Sequence, residues 1–188
     1  MQRVHYRNDA RWHAKLIIRS ALRPWLQERG SLTAKLKQQY ADFSVQPYHE
    51  AWGKPHVDER QLLRLPADTQ TWVREVWLMG DRQPRVFAHS VIARKDLRGP
   101  WYGLRKMGRL PLGAALFANP KVKRGALHFR KLTPAHALYK AVSKKLTLKT
   151  NHPLWARRSL FCLQRHHLLV TEVFLPSLLT NTDNGLKE

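Results

Sequence analysis

Thr71-Trp72-Val73-Arg74-Glu75-Val76-Trp77-Leu78-Met79 and Arg85-Val86-Phe87-Ala88-His89-Ser90-Val91-Ile92 are the two runs whose reading decides the fold. Both are dense in aromatic and β-branched side chains, which suit a pleated surface. Gly80-Asp81-Arg82-Gln83-Pro84 lies between them and is rich in turn formers, so the pair predicts a β-hairpin. Alternation along the first strand separates Trp72, Arg74, Val76 and Leu78 from Val73, Glu75, Trp77 and Met79. Each face then carries one charge among bulky apolar groups. A sheet with one wet face can show only one of those charges to water, so Arg74 or Glu75 turns into a core or a pocket.

The same pattern recurs near the C-terminal end. Arg157 to Leu163 and His167 to Leu175 form a second hairpin, turning at about Gln164 to His166. Phe43 to Tyr48 is a shorter strand and Leu127 to Leu132 a further candidate. Helical spacing marks about Asp9 to Tyr40, through Trp12, Leu16 and Ile17 and again through Leu32, Leu36 and Tyr40. Pro24 and Gly30 interrupt it, and Ser31 can cap the second part. Trp101 to Met107 is weakly helical, Pro111 to Phe117 forms a short helix with proline at its first position, and Thr133-Pro134 opens another to about Lys145. Paired strands with helices between the hairpins indicate an α+β fold on a single antiparallel sheet.

The 188 residues, 43% hydrophobic and 25% charged, suit one domain with one core. Cys162 is the single cysteine, which excludes an intramolecular disulfide and a cysteine metal cluster and fits the cytoplasm. Met1 to Ala14 lacks the apolar run of a signal peptide, and no stretch has the ~18 apolar residues of a membrane span. The net charge of +21 raises the possibility of a nucleic-acid partner, but the basic residues are spread along the chain and do not form one arm or stripe.

Their distribution carries more information than their sum. Residues 97 to 171 hold sixteen Lys and Arg and no Asp or Glu. Glu172 is therefore a lone acid, set in Leu168-Leu169-Val170-Thr171-Glu172-Val173-Phe174-Leu175 and sharing a face with Leu168, Val170 and Phe174. Desolvation penalises a carboxylate there unless a cation answers it. Arg74 is a natural partner, either directly or through an anionic ligand held between the two, and a structural ion pair fits equally well. Leu32 after Ser31 and Leu112 after Pro111 begin helices, whose first N–H groups lack internal acceptors and favour anions. His166 and His167 are adjacent in a strand and point to opposite faces, which prevents easy chelation. HExxH, CxxC and P-loop patterns are missing from the sequence.

Five segments in order resemble the bacterial chorismate pyruvate-lyases of ubiquinone biosynthesis. They are Gly30-Ser31-Leu32-Thr33, Trp72-Val73-Arg74-Glu75-Val76, Pro111-Leu112-Gly113-Ala114-Ala115-Leu116-Phe117, Leu154-Trp155-Ala156-Arg157-Arg158-Ser159 and Leu169-Val170-Thr171-Glu172-Val173-Phe174-Leu175-Pro176. The resemblance implies one monomeric domain over residues 1–188, with helical flaps closing a buried site and no metal or cofactor. It implies conversion of chorismate to 4-hydroxybenzoate and pyruvate, the first committed step of ubiquinone synthesis. Arg74 and Glu172 match the family's catalytic and binding charges, and Leu32 and Leu112 match positions whose main-chain N–H groups hold the aromatic acid. His89 matches a position that commonly holds arginine, which predicts a weaker grip on the enolpyruvyl end. Residues 120–150 read as a basic insertion, with nine Lys or Arg from Lys121 to Thr150.

Two other readings follow from the same features. One is a non-catalytic module that binds a small aromatic acid, since the effector domains of some transcription regulators resemble this fold. The other is a nucleic-acid binder acting through residues 121–150.

Overall fold

The structure is a computed structural model that describes residues 12–146 and 153–180. Its frame is one antiparallel sheet of seven strands: β1 (Phe43–Gly53), β2 (Thr71–Gly80), β3 (Gln83–Ala93), β4 (Lys123–Arg124), β5 (His128–Leu132), β6 (Leu154–Leu163) and β7 (His166–Phe174). The order is β1-β2-β3-β7-β6-β4, with β5 also paired to β6. Six short helices accompany it: α1 (Arg23–Leu26), α2 (Leu32–Gln39), α3 (Val57–Leu63), α4 (Arg94–Leu97), α5 (Leu112–Ala118) and α6 (Ala137–Ser143). This is the α+β class with the single antiparallel sheet that the strand patterns predict.

Both predicted hairpins form, and they turn more tightly than expected. Asp81 and Arg82 have φ of 49° and 62°, and Gln164 and Arg165 have 50° and 69°. Two residues at positive φ form the turn whose twist matches that of the flanking strands. Gln83 and Pro84 therefore belong to β3 and not to a linker, with a register irregularity beside Met79. β1 runs on to Gly53, past the expected end at Tyr48.

The expected helix beginning near Asp9 does not form in its described part. From Trp12 to Ile18 the chain is irregular, and His13 exchanges backbone hydrogen bonds of 2.9 Å with Phe129 on β5. Trp12 is buried in the core, donates its indole N–H to Asp58 and lies under the Arg158 guanidinium. Pairing to an open strand edge and burial of one tryptophan outweigh the weak helical spacing. Residues 9–11 lie outside the described residues. Pro111 is the N-cap of α5 and not its first helical residue, while Ser31 caps α2 as expected through Ala34 N–H. The basic stretch is built into the fold. It supplies β4, β5 and α6, and Leu132, Leu138, Tyr139 and Val142 enter the core; residues 147–152 lie outside the described residues.

Both faces of the sheet are covered, so both charges of the Trp72 strand are buried, Arg74 on one face and Glu75 on the other. On the front face α1, α2 and α5 cover two apolar clusters, one around Leu36, Val76 and Phe174 and one around Leu112, Phe161 and Leu168. On the back face α6 covers a cluster around Trp77 and Phe87, while Leu62 and Leu63 of α3 pack on Val91, Leu160 and Leu169. A polar row separates the back-face clusters. Cross-strand register sets Glu75 beside His89, His89 beside Thr171, and Thr171 beside Arg158. Burial alone would strip the proton from His89, but Glu59 and Glu75 outweigh it and push the imidazole up to about 10. The same ring, with His56, holds Glu59 down to about 2 against the opposing pull of burial.

Gly80 closes the front hairpin against Tyr40, and a Cβ there would stand 2.5 Å from the Tyr40 ring. Arg85, fully buried, lies over the same ring and donates to Gly80 O and to Ser177 O. Gly80→Ala is therefore expected to cost about 1–3 kcal/mol in urea unfolding, the range for overpacking a fixed core. Gly103→Ala, with nothing within 4 Å of its Cβ position, is expected to stay within about 1 kcal/mol of the parent protein.

Candidate functional site

The front-face polar groups meet in a pocket between the two apolar clusters. Its floor is the sheet, through Arg74, Ala88, Ser90, Val170 and Glu172. Its walls include Leu32 of α2, Leu112 and Leu116 of α5, and Phe161 of β6. The space between these walls is about 580 Å³, counting the part open to solvent. All four expected site residues, Arg74, Glu172, Leu32 and Leu112, line this one pocket.

Arg74 and Glu172 do not pair with each other, contrary to the direct pairing that was one expectation. Arg74 Nε lies 2.8 Å from Glu50 Oε1 on β1, and Nη2 donates to the carbonyls of Gly108 and Leu110. These bonds tie the segment before α5 to the sheet, and they use Nε and Nη2 but not Nη1 among the described residues. Burial lowers the Arg74 pKa, and Glu50 works against that shift. Glu172 instead answers Arg157, directly opposite on β6, with Nε to Oε2 at 2.5 Å. β3 lies between Arg74 on β2 and Glu172 on β7, so two strand spacings, about 10 Å, separate their backbones.

The sequence marks Arg157 only as the start of a strand within a matching motif, with a solvated or an anion-facing role equally open, and not as a site residue. Arg157 is fully buried. Nη1 donates to the carbonyls of Trp25, Leu26 and Glu28, so this guanidinium closes the exposed C-terminal end of α1. Its Nη2 is buried without a hydrogen-bond partner. Arg124, the second missed residue, joins the pocket from β4. It donates to Ser159 Oγ at 3.0 Å and to Arg29 O at 2.9 Å. Burial pushes its pKa down to about 10, with Glu172 resisting and Arg157 assisting. Two consecutive arginines in a strand covered on both faces must bury one on each side, and that was the available signal for Arg157. Arg124, on a two-residue strand, had none.

Leu32 and Leu112 are the first residues of α2 and α5, and those helix starts converge. Gly113 permits the approach: a Cβ there would lie 3.0 Å from Thr33 Oγ1 and 3.4 Å from Ser31 Oγ. The pocket thus combines three guanidinium groups, one carboxylate and two helix starts. That is an electropositive cavity for an anion, with one acid or base at its end. His89 belongs elsewhere. Its side chain is on the back face with Glu75 and Glu59, so it does not stand in for an arginine toward a pocket ligand, and the weaker grip expected from it does not follow.

A family model described as chorismate lyase matches residues 7–183. A protein of Thiobacillus denitrificans named probable chorismate pyruvate-lyase is 48% identical over 159 residues, covering 85% of this chain and 84% of that protein. One of the same name from Methylobacillus flagellatus is 45% identical over 169 residues, covering 90% and 94%. Among solved structures, the effector domain of PhnF from Mycobacterium smegmatis overlays with a TM-score of 0.55 at 14% identity, covering 79% of this chain and 90% of that one. A GntR-family transcriptional regulator from Bacillus cereus overlays at 0.54 and 9% identity, covering 72% and 92%. At such identities the likeness is one of fold.

The Arg157–Glu172 pair can be tested by itself. Arg157→Met leaves the half-buried Glu172 carboxylate unpaired and frees the α1 carbonyls, at an expected cost of about 3 kcal/mol in urea unfolding, the low end for breaking a buried pair because Glu172 keeps some contact with water. Adding Glu172→Leu to that variant is expected to restore part of the loss, because the stranded charge is then gone. No recovery in the double variant would assign the cost to the α1 carbonyls alone.

Proposed function

The chain belongs to the chorismate lyase family, and from that premise we propose that it converts chorismate to 4-hydroxybenzoate and pyruvate in the front-face pocket. Chorismate carries a ring carboxylate, a ring hydroxyl on the opposite side of the ring, and next to the hydroxyl an enolpyruvyl ether with its own carboxylate. In the reaction the ether C–O bond breaks and a ring hydrogen leaves as a proton. The enolpyruvate takes up a proton to become pyruvate, and the ring becomes aromatic. Aromatisation supplies the driving force, so orientation and charge stabilisation are the main tasks left to the protein.

The convergence of Arg74, Arg157 and Glu172 on one largely closed pocket carries this reading. Arg74 Nη1 and the main-chain N–H groups of Leu32 and Leu112 take the ring carboxylate. Glu172 meets the ring hydroxyl at the far end and handles the proton there. Two strand spacings, about 10 Å, separate β2 from β7, a span that suits a carboxylate and a hydroxyl para to each other on one ring. Arg157 Nη2 and Arg124 lie beside Glu172 and take the neighbouring enolpyruvyl group, whose charge grows as the C–O bond breaks. The net charge of +21 raises the local concentration of a dianion at low salt. A cytoplasmic monomer of one domain goes with this reading. Among the described residues no helix is long and apolar enough to cross a membrane.

Following 4-hydroxybenzoate and pyruvate from chorismate tests the assignment, and equal amounts of both are expected above the spontaneous rate. Glu172→Gln is expected to lower kcat about 100-fold or more. Arg74→Gln is expected to act mainly on KM, raising it about 10- to 100-fold, the worth of a charge-assisted hydrogen bond. A protein that binds 4-hydroxybenzoate but releases no pyruvate would be a binding module, and the catalytic reading would be lost.

A further inference from the structure

The back-face polar row contains a cluster that the substrate pocket does not use. His89 on β3 and Glu75 on β2 are register neighbours, and Nδ1 of the ring lies 2.9 Å from Glu75 Oε1. Nε2 of the same ring lies 3.0 Å from Glu59 Oε1 on α3. His56, the residue that precedes α3, stacks its ring on His89 with centroids 5.5 Å apart and planes at 20°. One donor atom from each of His56, Glu59 and His89 fits within 4.8 Å of the other two.

Glu59 and His89 are both 2% exposed, and Glu59 Oε1 and His89 Nε2 form an ion pair that lacks the alignment of a hydrogen bond. Buried polar atoms without a well-aligned hydrogen bond are costly, and a shared cation would satisfy both. Bonds of about 2.0–2.2 Å to one tetrahedral metal would set neighbouring ligand atoms about 3.3 Å apart; His89 Nε2 and Glu59 Oε1 are 3.0 Å apart, and all three ligand atoms lie within 4.8 Å of one another. Glu75 supplies what such a site needs behind its first ligand. A carboxylate on Nδ1 fixes the ring orientation and the tautomer, and presents Nε2 to the metal. An open cavity lined by His49, Lys54, His56, Glu59 and His89 leads to the cluster and leaves room for water as a fourth ligand.

We propose that His56, Glu59 and His89 bind one divalent metal ion of the zinc class on the face of the sheet opposite the substrate pocket, with Glu75 orienting His89. Two imidazoles and a carboxylate are borderline ligands that favour zinc over calcium or magnesium. The ion would join α3 to β3 and so hold the helix that covers Val91 and Leu169. The inference does not depend on which ligand the front pocket takes.

The test uses the full chain, stripped of metal and titrated with zinc ions by calorimetry, with thermal unfolding as the second readout. One stoichiometric site with Kd in the micromolar range or tighter is expected, together with a Tm rise of several degrees as the folded state is selectively bound. Cobalt in place of zinc is expected to give the visible absorption bands of tetrahedral coordination. The chain has ten histidines, so the site must be separated from incidental binding. His56→Ala is expected to abolish the stoichiometric site, His166→Ala to retain it, and Glu75→Gln to weaken it about 10- to 100-fold. If His56→Ala does not fold, a site about 10- to 100-fold weaker in a folded Glu75→Gln variant carries the same conclusion. Absence of a stoichiometric site, or binding untouched in His56→Ala and Glu75→Gln, would overturn the proposal and leave a metal-free buried ion pair.

Discussion

Arg157 opposite Glu172 is the contact on which the rest of the front face depends. One guanidinium neutralises the Glu172 carboxylate, closes the carbonyl end of α1 and, among the described residues, still has an unsatisfied N–H group beside the cavity. A fully buried guanidinium paired with a half-buried carboxylate is stable only when its remaining N–H groups find acceptors. The α1 carbonyls provide most of those answers, so the position of α1 over the sheet and the state of Glu172 are set together. A change on either side of the pair is felt both in packing and in the chemistry of the pocket.

A strand has a period of two, and four strands use that period at the same level of the sheet. Arg74 and Glu75, His89 and Ser90, Arg157 and Arg158, and Thr171 and Glu172 each divide between the faces. Register then lines the members up, Arg74 with Ser90 on the front, Glu75 with His89 and Thr171 with Arg158 on the back. Each face consequently has two apolar clusters parted by a polar belt. The front belt opens into a pocket because two helix starts meet over it across Gly113. The back belt is covered by α3, whose Asp58 answers Arg158 and whose Glu59 answers His89.

Much of this was legible in the chain. The hairpins could be read from β-branched and aromatic runs around turn residues. The half-buried, apolar setting of Glu172 could be read from its isolation among apolar neighbours. Arg74, Leu32 and Leu112 were identified by matching motifs, and one pocket gathers them. The helix expected from Trp12 onward was misread because a spacing of apolar residues does not report a backbone partner, and Phe129 offered one. His89 was placed toward the ligand by aligned position, although alternation with Arg74 across the register sends it to the other face.

The sequence by itself determined the alternating strands, the two hairpins, the N-cap of α2 at Ser31 and the presence of one acid in a basic, apolar setting. These are local properties, fixed by neighbours a few residues away. Only the tertiary structure decided which charge answers which. Glu172 takes Arg157 and not Arg74, because register sets the first pair side by side while β3 stands between the second. It also decided that Glu50, Glu59 and Arg124 matter, since each reaches its partner from another element of the fold. Ion pairs of this kind depend on distances across strands, and a linear order of residues does not contain them.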